Sequence, residues 1–195
     1  MYIGPTDDGS GLHQMVFELV ANAVSEGLAG YCSRIDVMLA ANGTATVCDD
    51  GRGIPIDLDH REGVSKAELA LTKLYAGARL GFRAEIPGAA LGVSLCVVNA
   101  LSLWLELRIR RDGAEHFRRC HEGYPTGALQ VLGGSNGKRG TEVTFLPNSK
   151  IFSNTSFDSA TLEARIRELA SLRSNVTLVF TDKRGVDKKE AVIKL

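Results

Sequence analysis

The spacing of apolar residues changes period several times along the chain, and each change marks an element. From Ser10 to Gly30, the residues Leu12, Met15, Val16, Leu19, Ala23 and Leu28 recur near helical spacing, with Gly30 as the stop. The period then drops to two. Ile35, Val37 and Leu39 alternate, Asn42-Gly43 supplies a turn, and Ala45, Val47 and Asp49 alternate again, which predicts a β-hairpin. A loop over 50–63 leads into a helix from about Ser65 to Tyr75. Residues 76–92 have no clear period but carry four glycines and a proline, and read as a mobile loop. A short helix over about Val93–Leu101 follows. The remainder is predicted mostly as strands: Trp104–Arg111, Glu115–Cys120, Ala128–Leu132, Thr141–Leu146, Val176–Thr181 and Val186–Ile193. One amphipathic helix, about Ser159–Leu172 with Leu162, Ile166 and Leu169 on its stripe, interrupts them. Helices segregated from a mostly antiparallel sheet predict an α+β fold, a two-layer sandwich with the helices on one face. No repeat or low-complexity linker divides the chain, so residues 1–195 are expected to form one domain.

Composition narrows the function classes. A chain of 195 residues can bury a substantial core, and 44% apolar with 24% charged residues is an ordinary globular balance. Lys+Arg 23 against Asp+Glu 23 gives no net charge, so no polyanion-gripping surface is expected. If the protein works on DNA, that surface lies on another domain or subunit. Cys32, Cys48, Cys96 and Cys120 form no C-x-x-C pair and read as free thiols of a reducing cytosol. No signal peptide is visible. The most apolar stretch, Val93–Leu107, is broken by Ser94, Asn99, Ser102 and Glu106 and is too short to span a bilayer. A soluble, cytoplasmic protein without a membrane partner is expected.

Several polar residues stand where they need a reason. Glu18, Asn22 and Glu26 share one side of the first helix at i, i+4 and i+8. Spacing alone equally describes a solvated face, but Asn is a mediocre helix former and a good oxygen ligand for Mg²⁺. Asp49 lies on the apolar row of its strand with Ala45 and Val47, where a carboxylate requires a donor, such as the exocyclic amino group of a base. Thr141 shares a row with Val143 and Phe145, and Arg111 follows Leu105, Leu107 and Ile109. Each alone also fits a satisfied residue at the core edge; together they suggest an apolar pocket trimmed with polar groups. Directly after Asp49, Asp50-Gly51-Arg52-Gly53-Ile54-Pro55 combines glycines that allow close backbone approach with a stiff exit.

The segments M1-Y-I-G, G11-L-H-Q-M-V-F-E-L-V-A-N-A, D49-D-G-R-G-I-P, E62-G-V-S, A76-G, V97-V-N-A-L-S and G140-T-E-V resemble the gyrase B family of ATP-binding domains in order and spacing, over essentially the whole chain. Histidine kinases, heat-shock chaperones and MutL repair proteins share only the Asn and D-x-G-x-G elements. The first and sixth segments point to the topoisomerase branch, and to gyrase over topoisomerase IV. The resemblance implies a Bergerat-type fold that binds ATP and Mg²⁺. It makes Glu18 the general base for the attacking water and Asn22 the Mg²⁺ ligand. Asp49 would accept the adenine amino group, with Thr141 beside it through an ordered water. Glu26 would pair with Arg52, which forms a rim over the base with Pro55, next to Gly53. Arg111 would line the mouth, and Leu19, Val47, Ile54, Leu95 and Val143 the apolar walls. Gly77, Gly92 and Val93 would belong to the lid and phosphate cradle over about 76–94. The implied partners are a gyrase A-type subunit and DNA in the full enzyme, a second copy in the full-length context, and aminocoumarin-type inhibitors; the fragment itself is expected to be monomeric.

The chain departs from that pattern in places. The family's G-G-L-H-G-V-G reads Gly88-Ala89-Ala90-Leu91-Gly92-Val93-Ser94, and Ala78-Arg79-Leu80 replaces Gly-Lys-Phe. A Cβ where backbone must approach a phosphate is an obstruction. Gln14 stands where the family has a histidine supporting the glutamate, and Ala21 and Ser25 replace aspartates. The resemblance also implies an N-terminal arm and a second domain, whose lysine reaches the γ-phosphate, outside these residues. The adenine end is intact and the phosphate end altered, so binding is expected to exceed turnover. The alternative is a catalytically impaired nucleotide- or inhibitor-binding paralogue, or an engineered domain.

Overall fold

The computed structural model describes residues 3–74, 76, 94–169, 175–185 and 189–194. Helix α1 spans Ser10–Leu28. Gly9 precedes it in the left-handed region, and the Asp8 carboxylate caps it by accepting from the Ser10 N–H at 2.8 Å. Between Gly11 and Glu26 only Gln14 and Asn22 are not buried. A helix buried nearly all round is a core element, not a surface one. Leu28, predicted on the apolar stripe, is exposed at the helix end.

The hairpin forms as predicted from β1 (Arg34–Leu39) and β2 (Ala45–Asp49), paired antiparallel with Val37 opposite Val47. The loop after Asp49 contains a two-stranded ribbon, β3 (Leu58–Asp59) with β4 (Val64–Ser65), which period-two reasoning cannot see in so short a segment. Helix α2 (Lys66–Thr72) is capped by Ser65, whose Oγ accepts from the Glu68 N–H. It ends earlier than predicted: Lys73 is extended, and the Thr72 hydroxyl bonds back to the Glu68 carbonyl. Tyr75 and the predicted loop over 77–92 lie outside the described residues.

Helix α3 (Ser94–Ala100) leads into β5 (Ser102–Arg111), β6 (Ala114–His121), β7 (Tyr124–Pro125), β8 (Gln130–Gly134) and β9 (Gly140–Pro147). The predicted 128–132 strand begins two residues later because β7 already occupies the edge of β6 at Cys120 and His121, leaving β8 only Ala114–Phe117 to pair with. Helix α4 (Ser159–Glu168) and strands β10 (Thr177–Asp182) and β11 (Lys189–Lys194) complete the chain; residues 170–172 and 186–188 of the predicted elements lie outside the description.

Among the described residues, nine strands form one sheet in the order β11-β10-β1-β2-β9-β5-β6-β7, with β8 also on β6. All its pairs are antiparallel except β1 with β10. The inner rows, among them Val37, Val47, Leu107, Val143 and Phe180, are buried against α1 and its neighbours α3 and α4. The outer face carries a ladder of Arg110 with Glu142 at 2.9 Å and Arg108 with Glu115 at 3.0 Å. This is the expected α+β sandwich with one face solvated. The four cysteines are free, and burial pushes Cys48 up to about 12 and Cys120 up to about 11, so these thiols stay protonated.

Candidate functional site

The inner end of β2 and β9 is where the polar residues gather. The register sets Val47 opposite Val143, which brings Asp49 beside Thr141 one step further on. Asp49 Oδ1 accepts from the Gly51 N–H at 2.8 Å and the Thr141 N–H at 3.2 Å. Oδ2 takes no hydrogen bond from the described residues. Burial pushes the Asp49 carboxyl up to about 6, the two N–H donors only partly opposing it, while Glu26 and Asp50 push the same way. Beside apolar Val47 and Val143, this carboxylate keeps an oxygen able to accept a further donor.

The next residues fold tightly around it. Gly51 lies between the Asp49 and Glu26 carboxylates: a Cβ there would meet Asp49 Oδ1 at 2.9 Å and Glu26 Oε2 at 3.2 Å. The Ile54 N–H donates to Thr141 Oγ1 at 3.2 Å, tethering the loop to β9. Ile54 is buried and Pro55 half-buried, so the loop re-enters the core at its exit. Arg111 Nη1 donates to the Gly53 carbonyl at 2.8 Å, so the guanidinium holds loop backbone at the mouth and does not simply line it. Asp50 turns the other way. Its carboxylate accepts from Ser33 N–H at 2.7 Å, Ser33 Oγ at 2.5 Å and Arg34 N–H at 2.9 Å. Burial would raise it, but these donors outweigh that and hold it at about 2.

Helix α1 supplies the third wall. The Glu18, Asn22, Glu26 stripe is not a solvated face: Glu18 is 1% and Glu26 8% exposed, with Asn22 half-buried between them. Glu26 receives Arg52 through Nη2 at 2.7 Å, Nε at 3.1 Å and the backbone N–H at 3.2 Å. Burial pushes Glu26 up, yet the Arg52 donors bring it below the usual carboxylate range. Two turns earlier, Gln14 Nε2 donates to Glu18 Oε1 at 2.5 Å. The glutamine therefore gives Glu18 an N–H donor although no imidazole stands there.

Leu19, Val47, Ile54, Leu95 and Val143 are all buried in one apolar cluster contributed by α1, the sheet, the loop and α3. Gly77, Gly88, Ala89, Leu91, Gly92 and Val93, assigned to the lid and cradle, lie outside the described residues. Three participants were not anticipated. Asp50 anchors the loop; Arg139 donates through Nε to the Asp50 carbonyl at 3.1 Å; and the Tyr31 ring lies 3.7 Å from the Arg52 guanidinium carbon. Only the Gln14–Glu18 contact carried a readable signal, its i, i+4 spacing.

Comparison with known proteins agrees with this geometry. Residues 7–151 match the family described as "Histidine kinase-, DNA gyrase B-, and HSP90-like ATPase". The chain is 47% identical over 191 residues to the DNA gyrase B protein of Rickettsia bellii, 97% of this chain and 24% of that one. It is 48% identical over 201 residues to the DNA gyrase B protein of Caulobacter vibrioides, covering 97% and 25%, and 44% identical over 192 residues to that of Synechocystis, covering 97% and 18%. The chain thus spans a quarter or less of the length of these relatives. On the match and the site together, it belongs to the histidine kinase-, DNA gyrase B- and HSP90-like ATPase family, on the gyrase B side.

Proposed function

We propose that this chain is the ATP-binding part of a type II DNA topoisomerase that couples nucleotide binding and hydrolysis to DNA supercoiling in the cytoplasm. Within that enzyme it works with a gyrase A-type subunit, DNA and a second copy of itself. The observation that carries the reading is the half-satisfied Asp49 carboxylate beside apolar walls, with Thr141 next to it and the Arg52 rim close by. Such a place fits a flat heterocycle with an exocyclic amino group. The same arrangement would accept the head of an aminocoumarin-type inhibitor.

Asp49 accepts the adenine amino proton through Oδ2, and Thr141, its hydroxyl already receiving the Ile54 N–H, steadies the adjacent edge. Asn22 is the residue that would hold Mg²⁺. Among the described residues no group of three or more His, Cys, Asp or Glu side chains gathers as a metal cage. An ion at Asn22 would suit ligation by phosphates and water as well. Bound there, Mg²⁺ supplies charge neutralisation to the phosphates. Glu18, buried and bonded to Gln14, would take a proton from water. Support for the base, phosphate contacts and groups from further domains all bear on turnover. The isolated chain should accordingly bind nucleotide better than it hydrolyses it.

Calorimetry with adenosine and ADP tests this. A hydrogen bond to a charged group contributes about 1.5–3 kcal/mol, so Asp49→Asn should weaken both ligands about ten- to a hundredfold. Unchanged affinity would remove Asp49 from the site, and a robust Glu18-dependent ATPase in this chain would overturn the ranking of binding over turnover.

A further inference from the structure

Arg52 is held from two directions, and the second support comes from outside the D-x-G-x-G loop. Helix α1 stops where Gly30 takes φ 81°, with Gly30 N–H donating to Gly27 and Tyr31 N–H to Glu26, both at 2.9 Å. That reversal folds Tyr31 back beside the glutamate that grips Arg52. From the far side, Arg139 reaches the Tyr31 carbonyl at 3.5 Å while binding the Asp50 carbonyl at 3.1 Å, so residue 31 and the loop share one clamp. The guanidinium of Arg52 then has its Nε and Nη2 edge on Glu26 and its carbon 3.7 Å from the centre of the Tyr31 ring.

This contact is not core packing. Tyr31 is 43% exposed and the Arg52 side chain 42%. A surface arginine ordinarily samples many rotamers, and fixing one before a ligand arrives removes an ordering cost from binding. Among the described residues, Tyr31 is the only ring stacked on Arg52, and the Arg52 side chain keeps 42% of its surface exposed.

We propose that Tyr31 is a positioning residue of the site, holding Arg52 flat at the rim against the planar part of a ligand that extends past the base pocket. The inference rests on the nucleotide-site reading above and adds a residue that reading does not use. Tyr31 touches no ligand itself; it acts through Arg52. Its influence should therefore grow with the aromatic surface a ligand extends past the base pocket.

The test compares adenosine with an aminocoumarin, by calorimetry, on the unsubstituted chain and on Tyr31→Ala, Tyr31→Leu and Tyr31→Phe, with thermal unfolding of each to show that it folds. Relaxation of the Arg52 Nε–H group by NMR reports its mobility in the free protein. Tyr31→Ala and Tyr31→Leu should weaken the aminocoumarin about two- to fivefold, the range of an exposed cation–π contact, and weaken adenosine less. Both should loosen the Arg52 side chain, and Tyr31→Phe should restore affinity and rigidity together. Equal losses for the two ligands, no loss for the aminocoumarin, or an Arg52 side chain that stays rigid in Tyr31→Leu would each overturn the proposal. If adenosine binds the unsubstituted chain and is lost in Asp49→Asn while Tyr31 variants change nothing, only this inference fails. If adenosine does not bind at all, the nucleotide-site reading fails with it.

Discussion

Asp49 and Asp50 are adjacent carboxylates at the end of β2, and the molecule uses them in opposite ways. Asp49 faces the inner layer, with two N–H donors on one oxygen and burial pushing it up to about 6. Asp50 faces the corner where β1 begins, with three donors from Ser33 and Arg34 holding it at about 2. Successive side chains of an extended chain point to opposite faces, and Asp50, just past the end of β2, is held in its corner by Ser33 and Arg34. On the proposed nucleotide-site reading, the difference separates a binding group from a structural one of identical chemistry. Asp50 is saturated by its own chain, whereas Asp49 keeps capacity in reserve at a cost in stability.

The strongest way to break the contrast is to move the backbone that carries both residues. Gly140 packs on it directly: a Cβ at 140 would lie 1.9 Å from the Asp49 carbonyl oxygen and 3.0 Å from Asp50 Cα. Its φ of 117° is also one that L side chains rarely adopt. Gly140→Ala should lower stability in urea by about 3 kcal/mol or more and abolish adenosine binding in whatever folds. An unchanged denaturation midpoint with unchanged binding would show that the sheet end yields freely and that the contrast does not depend on its geometry.

Removing each carboxylate in turn should give stability changes of opposite sign. Asp50 has a folded pKa below its unfolded value, so it stabilises above the unfolded pKa and loses that contribution as pH falls toward 2. Asp50→Ala should cost about 1–2 kcal/mol at pH 7, after allowance for solvent screening. Asp49 has a folded pKa above its unfolded value, so folding opposes its ionisation and native stability declines as pH rises from about 4 to about 6. Asp49→Asn should therefore stabilise the ligand-free protein by about 1–3 kcal/mol at pH 7, roughly 2–12 °C in Tm, and by nothing below pH 4. Thermal scans of both variants from pH 4 to 7 decide it. A stability gain in Asp49→Asn that does not grow across that interval would mean its carboxylate is better satisfied than the hydrogen bonds indicate. Adenosine should also bind the unsubstituted protein less well below pH 6, as Asp49 takes up a proton and stops accepting.

Strand parity is why this part of the site was legible from sequence. Asp49 and Thr141 betray themselves by sitting on apolar rows, and a two-residue period admits only two faces. Helical spacing is less decisive: Glu18, Asn22 and Glu26 plainly share a side, but nothing local says whether that side meets water or the sheet. Its burial follows from α1 lying under the sheet with α3 and α4 against it, a tertiary fact. Asp50 and Tyr31 were illegible for the same reason. Their partners, Ser33 and Arg52, come from segments joined only by the fold. The main elements were readable because their periods are long enough to count, whereas β3, β4 and β7, at two residues each, are set by pairing alone.

The smallest effect, and the finest probe of the contrast, is at Arg111. Its Nη1 holds the Gly53 carbonyl at 2.8 Å, just beyond the stretch where Asp49 and Asp50 diverge. The neighbouring Ile54 N–H is separately held by Thr141 Oγ1 at 3.2 Å. The Gly53–Ile54 peptide group thus has two tethers, one on its carbonyl and one on its N–H, and losing the arginine leaves the threonine in place. One hydrogen bond from a charged donor, partly open to water, contributes about 1 kcal/mol, so Arg111→Ala should speed amide exchange at Arg52 and Gly53 about fivefold. The Asp50 anchor lies upstream, and exchange at Ser33 and Arg34 should not change. Ligands that reach past the base pocket to the loop should weaken more than adenosine, whose recognition stays on Asp49 and Thr141. If exchange quickens equally at Ser33 and Arg34, the loop and the Asp50 corner move as one body. The division between a binding carboxylate and a structural one would then be a matter of charge environment and not of separate mechanical units. Equal weakening of both ligand types would instead give Arg111 a purely structural role, through packing of its stem.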